Sequence, residues 1–204
     1  KEMNRSVIRQ LNKVAHSTLF GLSGTAPIAL AEKLVEITPS ELTRVFYSDD
    51  GSTAVEVGLK MAYQYWRNVG QPKKKKFVCL GGAYHGDTLG SVSVGRIDFY
   101  HGIFKSLLFK SLDVPSPYCY RCPIGKEYPD CSIACTEEMS HVIRSNANEI
   151  AALIIEPLVQ GPAGIVTAPH GYLKRARDIC AENDILFIAD EVAVGFGRTG
   201  KMFA

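Results

Sequence analysis

Ile185-Leu186-Phe187-Ile188-Ala189 is an unbroken apolar run that stops on an acid, Asp190. A run this short, rich in Ile and Phe and with no polar alternation, reads as a strand covered on both faces in a parallel sheet. Open α/β sheets bind ligands at the carboxyl ends of such strands, where Asp190 falls. A carboxylate is too costly to bury there alone. It needs a metal ion, a cation or a protonated ring nitrogen beside it.

Two other apolar runs share this design. Phe77-Val78-Cys79-Leu80 breaks at Gly81-Gly82 and leads to Tyr84-His85, and Ala151-Ala152-Leu153-Ile154-Ile155 ends on Glu156. Helical patterns lie between and before them. They are expected over residues 1–16, from Thr25 to the stop at Pro39 with Pro27 in the first turn, and through Val55, Leu59, Ala62, Tyr63 and Trp66. Two more are expected over about 137–147 and about 170–183. Thr53-x-x-Glu56 has capping-box spacing. Val45-Phe46-Tyr47 reads as a short strand and roughly 113–135 as a polar, Pro- and Cys-rich loop. The alternation predicts an α/β fold, with a mostly parallel central sheet and flanking helices.

Parallel strands would gather Tyr84-His85, Glu156 and Asp190 at one sheet edge. Gly51-Ser52 adds a helix N-terminus, whose free N–H groups favour an anion. The four together describe a ligand with a phosphate at one end, a flat body beside Tyr84 and a basic nitrogen facing Asp190. Singly, each has a plain reading. Ser52 serves as a helix cap, Asp49 and Asp50 complement the helix dipole, Tyr84-His85 is a packed aromatic pair, and Glu156 ends a strand. Only their convergence favours a site.

The totals set limits. A chain of 204 residues, 46% apolar and 22% charged, suits a globular protein with one substantial core or two small domains. A formal net charge of +2 gives no argument for nucleic acid or an anionic membrane as partner. The basic run Lys73–Lys76 is expected to be a solvated loop. No apolar stretch approaches the ~20 residues of a membrane span, and the opening residues lack a signal core. A cytoplasmic location, with the six cysteines as thiols, is therefore expected. The chain starts inside an amphipathic pattern (Val7, Ile8, Leu11, Val14) and reaches Ala204 without a stop signal, as expected for part of a longer protein.

Two other readings compete. Gly195-Phe196-Gly197-Arg198-Thr199-Gly200-Lys201 fits G-x-x-x-x-G-K, the phosphate loop of P-loop nucleotidases. However, Met202 replaces the metal-binding hydroxyl, and the loop follows the acid-ended strand instead of preceding it. Cys119-x-x-Cys122 and Cys131-x-x-x-Cys135 approach zinc-ligand spacing within one loop. They are either free thiols or the core of a metal-binding structural module.

Taken together, the motifs resemble the class III (ω) pyridoxal-phosphate aminotransferases, and within them the 7,8-diaminononanoate synthases of biotin synthesis. The resemblance runs through His16–Gly21, Tyr47–Glu56, Gly81–Thr88, Pro117–Pro123, Ile154–Gly161 and Ala189–Ala204. It implies the large domain of the pyridoxal-phosphate fold type I, incomplete, over residues 41–204, with 1–40 as a helical segment leading in. It also implies pyridoxal 5'-phosphate held by Gly51, Ser52, Tyr84, His85, Glu156, Asp190 and Val192. Asp190 would be catalytic, paired with the pyridine nitrogen. Tyr84, Asp87 and Arg198 would line the substrate site, which no metal is expected to share. The small-molecule partners would be an amino donor and an oxo-acid acceptor, here 8-amino-7-oxononanoate; ω-amino acid, ornithine or 4-aminobutyrate aminotransferases are the alternatives within the class. A homodimer is implied. The Schiff-base lysine and the C-terminal small domain of the family lie beyond Ala204, so the chain alone should be inactive.

Overall fold

A computed structural model describes residues 1–204, which form two compact units, 1–46 and 47–204. The first unit holds α1 (Glu2–Leu11) and α2 (Thr25–Ile37). Helix α1 ends five residues short of the expected limit, and Val7, Ile8 and Leu11 on its apolar stripe are exposed. Helix α2 starts at Thr25, as expected, with Gly24 as its N-cap. Val45-Phe46-Tyr47 is not a strand. Three residues of β-propensity have no neighbouring strand to pair with there.

The second unit is a doubly covered sheet. In chain order it contains α3 (Gly51–Asn68), β1 (Lys76–Leu80), α4 (Leu89–Ser93), α5 (Asp98–His101), β2 (Leu112–Val114), α6 (Cys135–Asn146) and β3 (Ile150–Ile155). A two-stranded antiparallel pair, β4 (Val159–Gln160) and β5 (Val166–Thr167), α7 (Tyr172–Glu182) and β6 (Leu186–Ala189) complete it. The main sheet has the order β2-β1-β3-β6, and every pairing is parallel. Strand β2 falls at the start of the stretch read as loop. Its three residues carry too little pattern to be seen without β1 beside them.

Side chains alternate across β1 and β3, so each strand feeds two cores. Val78, Leu80, Leu153 and Ile155 pack with Met139 and Ile143 of α6 and with Ala176 and Ile179 of α7. Phe77, Cys79, Ala152 and Ile154 pack with Val55, Leu59, Ala62 and Trp66 of α3 on the opposite face. All six residues of β3 are buried. At roughly 1.5–3 kcal/mol for each large aliphatic side chain, that strand is the most expensive to disturb.

The basic run is not simply solvated. Lys74 is buried, with its ammonium 4.0 Å from the centre of the Trp66 ring and bonded to the Asp184 carbonyl. The indole N–H of Trp66 donates to the Ala151 carbonyl at 2.7 Å, fastening α3 to β3. Lys76 pairs with Glu149.

The start of α3 also differs from expectation. Asp50 is its N-cap and accepts from the Thr53 N–H at 2.9 Å, while the Thr53 hydroxyl accepts from the Asp50 N–H at 3.1 Å. The capping box is thus Asp50–Thr53. The Glu56 carboxylate instead accepts from the Gly90 N–H at 2.7 Å. Asp50→Ala should cost about 1 kcal/mol, read as a lower urea midpoint by the fluorescence of Trp66, the only tryptophan.

Candidate active site

The register of β3 on β6 pairs Ile155 with Ala189, which sets Glu156 beside Asp190 at the carboxyl edge. The Asp190 N–H continues the ladder onto the Ile155 carbonyl at 2.8 Å. Strand β1 lies on the other side of β3, so the loop after it delivers Tyr84, His85 and Gly86 to the same edge. The N-terminus of α3 closes the fourth side. The result is a cleft of about 290 Å³ lined by residues including Gly51, Ser52, Tyr84, His85, Glu156, Asp190 and Val192. That size is at the small end of small-molecule sites.

Asp190 is held at both oxygens. Oδ2 lies 2.7 Å from Nδ1 of His85, and Oδ1 accepts from the Val192 N–H at 3.1 Å. The carboxylate is 6% exposed and the His85 side chain fully buried. The buried Nε2 of His85 has no partner. Since the carboxylate has no donor of its own when ionised, the geometry fixes the proton of His85 on Nδ1. This pairing was not foreseen. His85 follows Tyr84 in sequence, and nothing in that adjacency shows that it reaches across β3.

Glu156 acts as a brace. Its two oxygens accept from the Tyr84 N–H at 3.0 Å and the Gly161 N–H at 2.8 Å, so one buried carboxylate ties the β1 loop to the turn after β4. Burial raises its pKa; the two N–H groups and His85 pull it down, and Asp190 pushes it up.

Tyr84 is oriented on two sides. Its hydroxyl donates to Asp87 at 2.8 Å, which pushes its pKa up to about 12, and its ring stacks on His101 at 5.8 Å between centroids and 16° between planes. His101 sits on α5, a helix too short to have been read from the sequence. It fits because Gly95 is bare: a Cβ there would fall 2.8 Å from the imidazole. Ser52 does not cap α3. Its hydroxyl accepts from the Asp87 N–H at 3.2 Å. Gly86 crosses over Ser52 at φ +117°, and a Cβ on it would come within 2.3 Å of the Ser52 Oγ. Only glycine suits that crossing. Val192 covers the other approach, its methyl 3.0 Å from where a Cβ on Gly51 would stand.

Asp87 is therefore adjacent to the cleft through Tyr84 and Ser52. Arg198 does not line it; it is exposed in a run of turns after β6. Pro162 and Ala193 also line the cleft, though their positions in the sequence gave no sign of it.

The Aminotransferase class-III family matches residues 2–204. The chain belongs to the class III aminotransferases. It is 54% identical to an adenosylmethionine-8-amino-7-oxononanoate aminotransferase of Geobacter sulfurreducens over 205 residues, covering 100% of this chain and 45% of that protein. A Staphylococcus aureus protein of the same name is 50% identical over 207 residues, with 100% of this chain and 46% of that protein covered. Among solved structures, the Methanocaldococcus jannaschii enzyme of that name superposes with a TM-score of 0.91 at 44% identity, over 100% of this chain and 43% of that one. An amine transaminase from an uncultivated Pseudomonas species, in its PLP-bound (internal aldimine) form, gives 0.92 at 38% identity over 98% and 46%. This class III aminotransferase chain thus spans about half the length of the relatives it matches, and its fold is that of the fold-type-I transaminases.

Family membership removes the nucleotidase alternative. In the structure Gly195–Lys201 is a run of turns that follows the acid-ended strand β6, where a phosphate loop should precede it.

Glu156→Gln leaves an amide NH₂ against a backbone N–H, and should cost about 1–3 kcal/mol in thermal or urea unfolding. The sign with pH is also set. Because the folded pKa is raised, the unfolded chain releases this proton first, so the Glu156 contribution to stability falls as pH rises from the ordinary glutamate range through the raised one. The glutamine variant should lack that slope.

Proposed function

We propose that this chain is part of a pyridoxal-phosphate aminotransferase. The enzyme moves an amino group from adenosylmethionine to 8-amino-7-oxononanoate, giving 7,8-diaminononanoate for biotin synthesis. Residues 41–204 belong to its cofactor-binding large domain and residues 1–40 to the segment leading into it. It works as a cytoplasmic homodimer, with no nucleic acid or membrane partner. No helix here is long and apolar enough to cross a membrane.

The observation that carries this reading is the state of Asp190. A carboxylate has about four lone-pair sites, and His85 and Val192 take one on each oxygen, so acceptor capacity remains for a protonated ring nitrogen. Pyridoxal phosphate, when bound, supplies an electron sink for the charge left on the substrate carbon as its proton departs. Asp190 keeps the proton on the ring nitrogen by favouring the charged form. His85 holds Asp190 in place from behind. Gly51 and Ser52 offer the unpaired N–H groups of the first helical turn to the phosphate. Tyr84 and Val192 cover the ring and exclude water, and Glu156 fixes the Tyr84 loop. Asp87 serves the substrate beside Tyr84; Arg198, which stands outside the cleft, would pair with a carboxylate only on a substrate that reaches beyond it. The lysine that anchors the cofactor comes from polypeptide outside these residues; Lys201 belongs to the glycine-rich turns.

The relatives' names favour adenosylmethionine as donor and 8-amino-7-oxononanoate as acceptor. A second reading is another class III ω-aminotransferase, acting on ω-amino acids, ornithine or 4-aminobutyrate; the amine transaminase neighbour supports the wider class without naming any of these substrates. Assays of the full-length enzyme with each pair separate the two. Turnover confined to ω-amino acids, ornithine or 4-aminobutyrate would replace the first reading with the second. Asp190→Asn should lower turnover on the order of a hundredfold or more while keeping the far-UV circular dichroism of the folded parent. Near-normal transamination by that variant would remove the role given to Asp190.

A further inference from the structure

Between β2 and α6, residues 115–134 contain no strand and only one 3-10 turn, Cys119–Arg121. A loop of that length inside a compact α/β unit needs something to hold it. Most of its side chains are exposed or half-buried, so packing supplies little. Its cysteines come together instead. Cys119, Cys122 and Cys131 line one cavity with Cys135, the first residue of α6. The cavity measures about 10 Å³, close to the volume of one water-sized sphere. It lies apart from the cleft at Asp190, whose lining includes none of these residues.

All four are free thiols, and their hydrogen bonds are weak: Cys119 Sγ to the Pro117 carbonyl at 3.7 Å, and Cys135 Sγ to the Ile133 carbonyl at 3.8 Å.

We infer that Cys119, Cys122, Cys131 and Cys135 form a structural zinc site that pins residues 115–134 to the start of α6. The paired spacing, C-x-x-C then C-x-x-x-C, suits four thiolates around one tetrahedral ion with no open position. Four sulfur ligands select a thiophilic ion over magnesium or calcium. As they stand, no three of these side chains are arranged to grip a metal. Binding therefore turns the sulfurs inward to Zn–S distances of about 2.3 Å. Each thiol that ligates gives its proton to solvent. Cys119, Cys122 and Cys131 are only half-buried, which leaves the ion a way in.

The test is metal analysis of the full-length enzyme, purified without chelator from zinc-supplemented cells. The expected content is about one zinc per chain, released by a mercurial that titrates the thiols. Cobalt substituted for zinc should show sulfur-to-metal charge-transfer bands and the visible bands of a tetrahedral ion. Cys122→Ser should abolish stoichiometric zinc while keeping the far-UV circular dichroism of the parent. The inference fails if the reduced protein holds no stoichiometric zinc and gives no cobalt spectrum. It fails equally if iron with labile sulfide is found, if the four cysteines are recovered as disulfides, or if Cys122→Ser keeps its full zinc.

Discussion

The site depends on one carboxylate being held at the end of a buried strand. Asp190 is almost wholly out of water, and an isolated charge there would cost several kcal/mol. Two features of the fold make the position tolerable. The His85 imidazole and the Val192 N–H each bind one oxygen, and the parallel register of β3 and β6 keeps Asp190 in the ladder through the Ile155 carbonyl. Without the register, His85 could not meet Asp190 across β3. Without the two cores, nothing would fix the register.

Rigidity at the sheet edge comes from backbone N–H groups bound by carboxylates as much as from apolar packing. Glu156 takes the N–H groups of Tyr84 and Gly161, Glu56 takes that of Gly90, and Asp50 takes that of Thr53. Where the carboxylate is buried, as at Glu156, such a bond contributes about 1.5–3 kcal/mol, twice or more what a neutral one gives. The bonds of Glu156 and Glu56 each close a loop that lines or borders the cleft. The glycines make the close approaches possible. Gly86 passes over Ser52 where a methyl group would overlap its hydroxyl, and Gly51 admits Val192. The cleft walls are thus set by where side chains are missing as well as by where they are.

Much of this was legible before any coordinates. The three long strands were visible as apolar runs, because strands buried on both faces need no polar alternation. Their acidic and aromatic ends marked the edge where the cleft lies, because parallel pairing aligns carboxyl termini. What stayed hidden depends on tertiary partners. β2 is three residues long and exists through β1. The capping box moved to Asp50 because Glu56 is drawn away to Gly90, a contact 34 positions along the chain. Lys74 looked solvated because Asp184 lies 110 positions along the chain and Trp66 sits on α3, across the turn that precedes the basic run. His101 beneath Tyr84 had no pattern to announce it, since α5 spans a single turn.

The central claim is that Asp190 holds a proton on a heteroaromatic nitrogen. The direct measurement is the nitrogen-15 NMR shift of ring-labelled pyridoxal phosphate bound to the full-length enzyme, followed across neutral pH. A protonated pyridinium signal, unchanged from pH 6 to 9 and lost in Asp190→Asn, is the predicted result. A wild-type signal at the position of an unprotonated pyridine would contradict it.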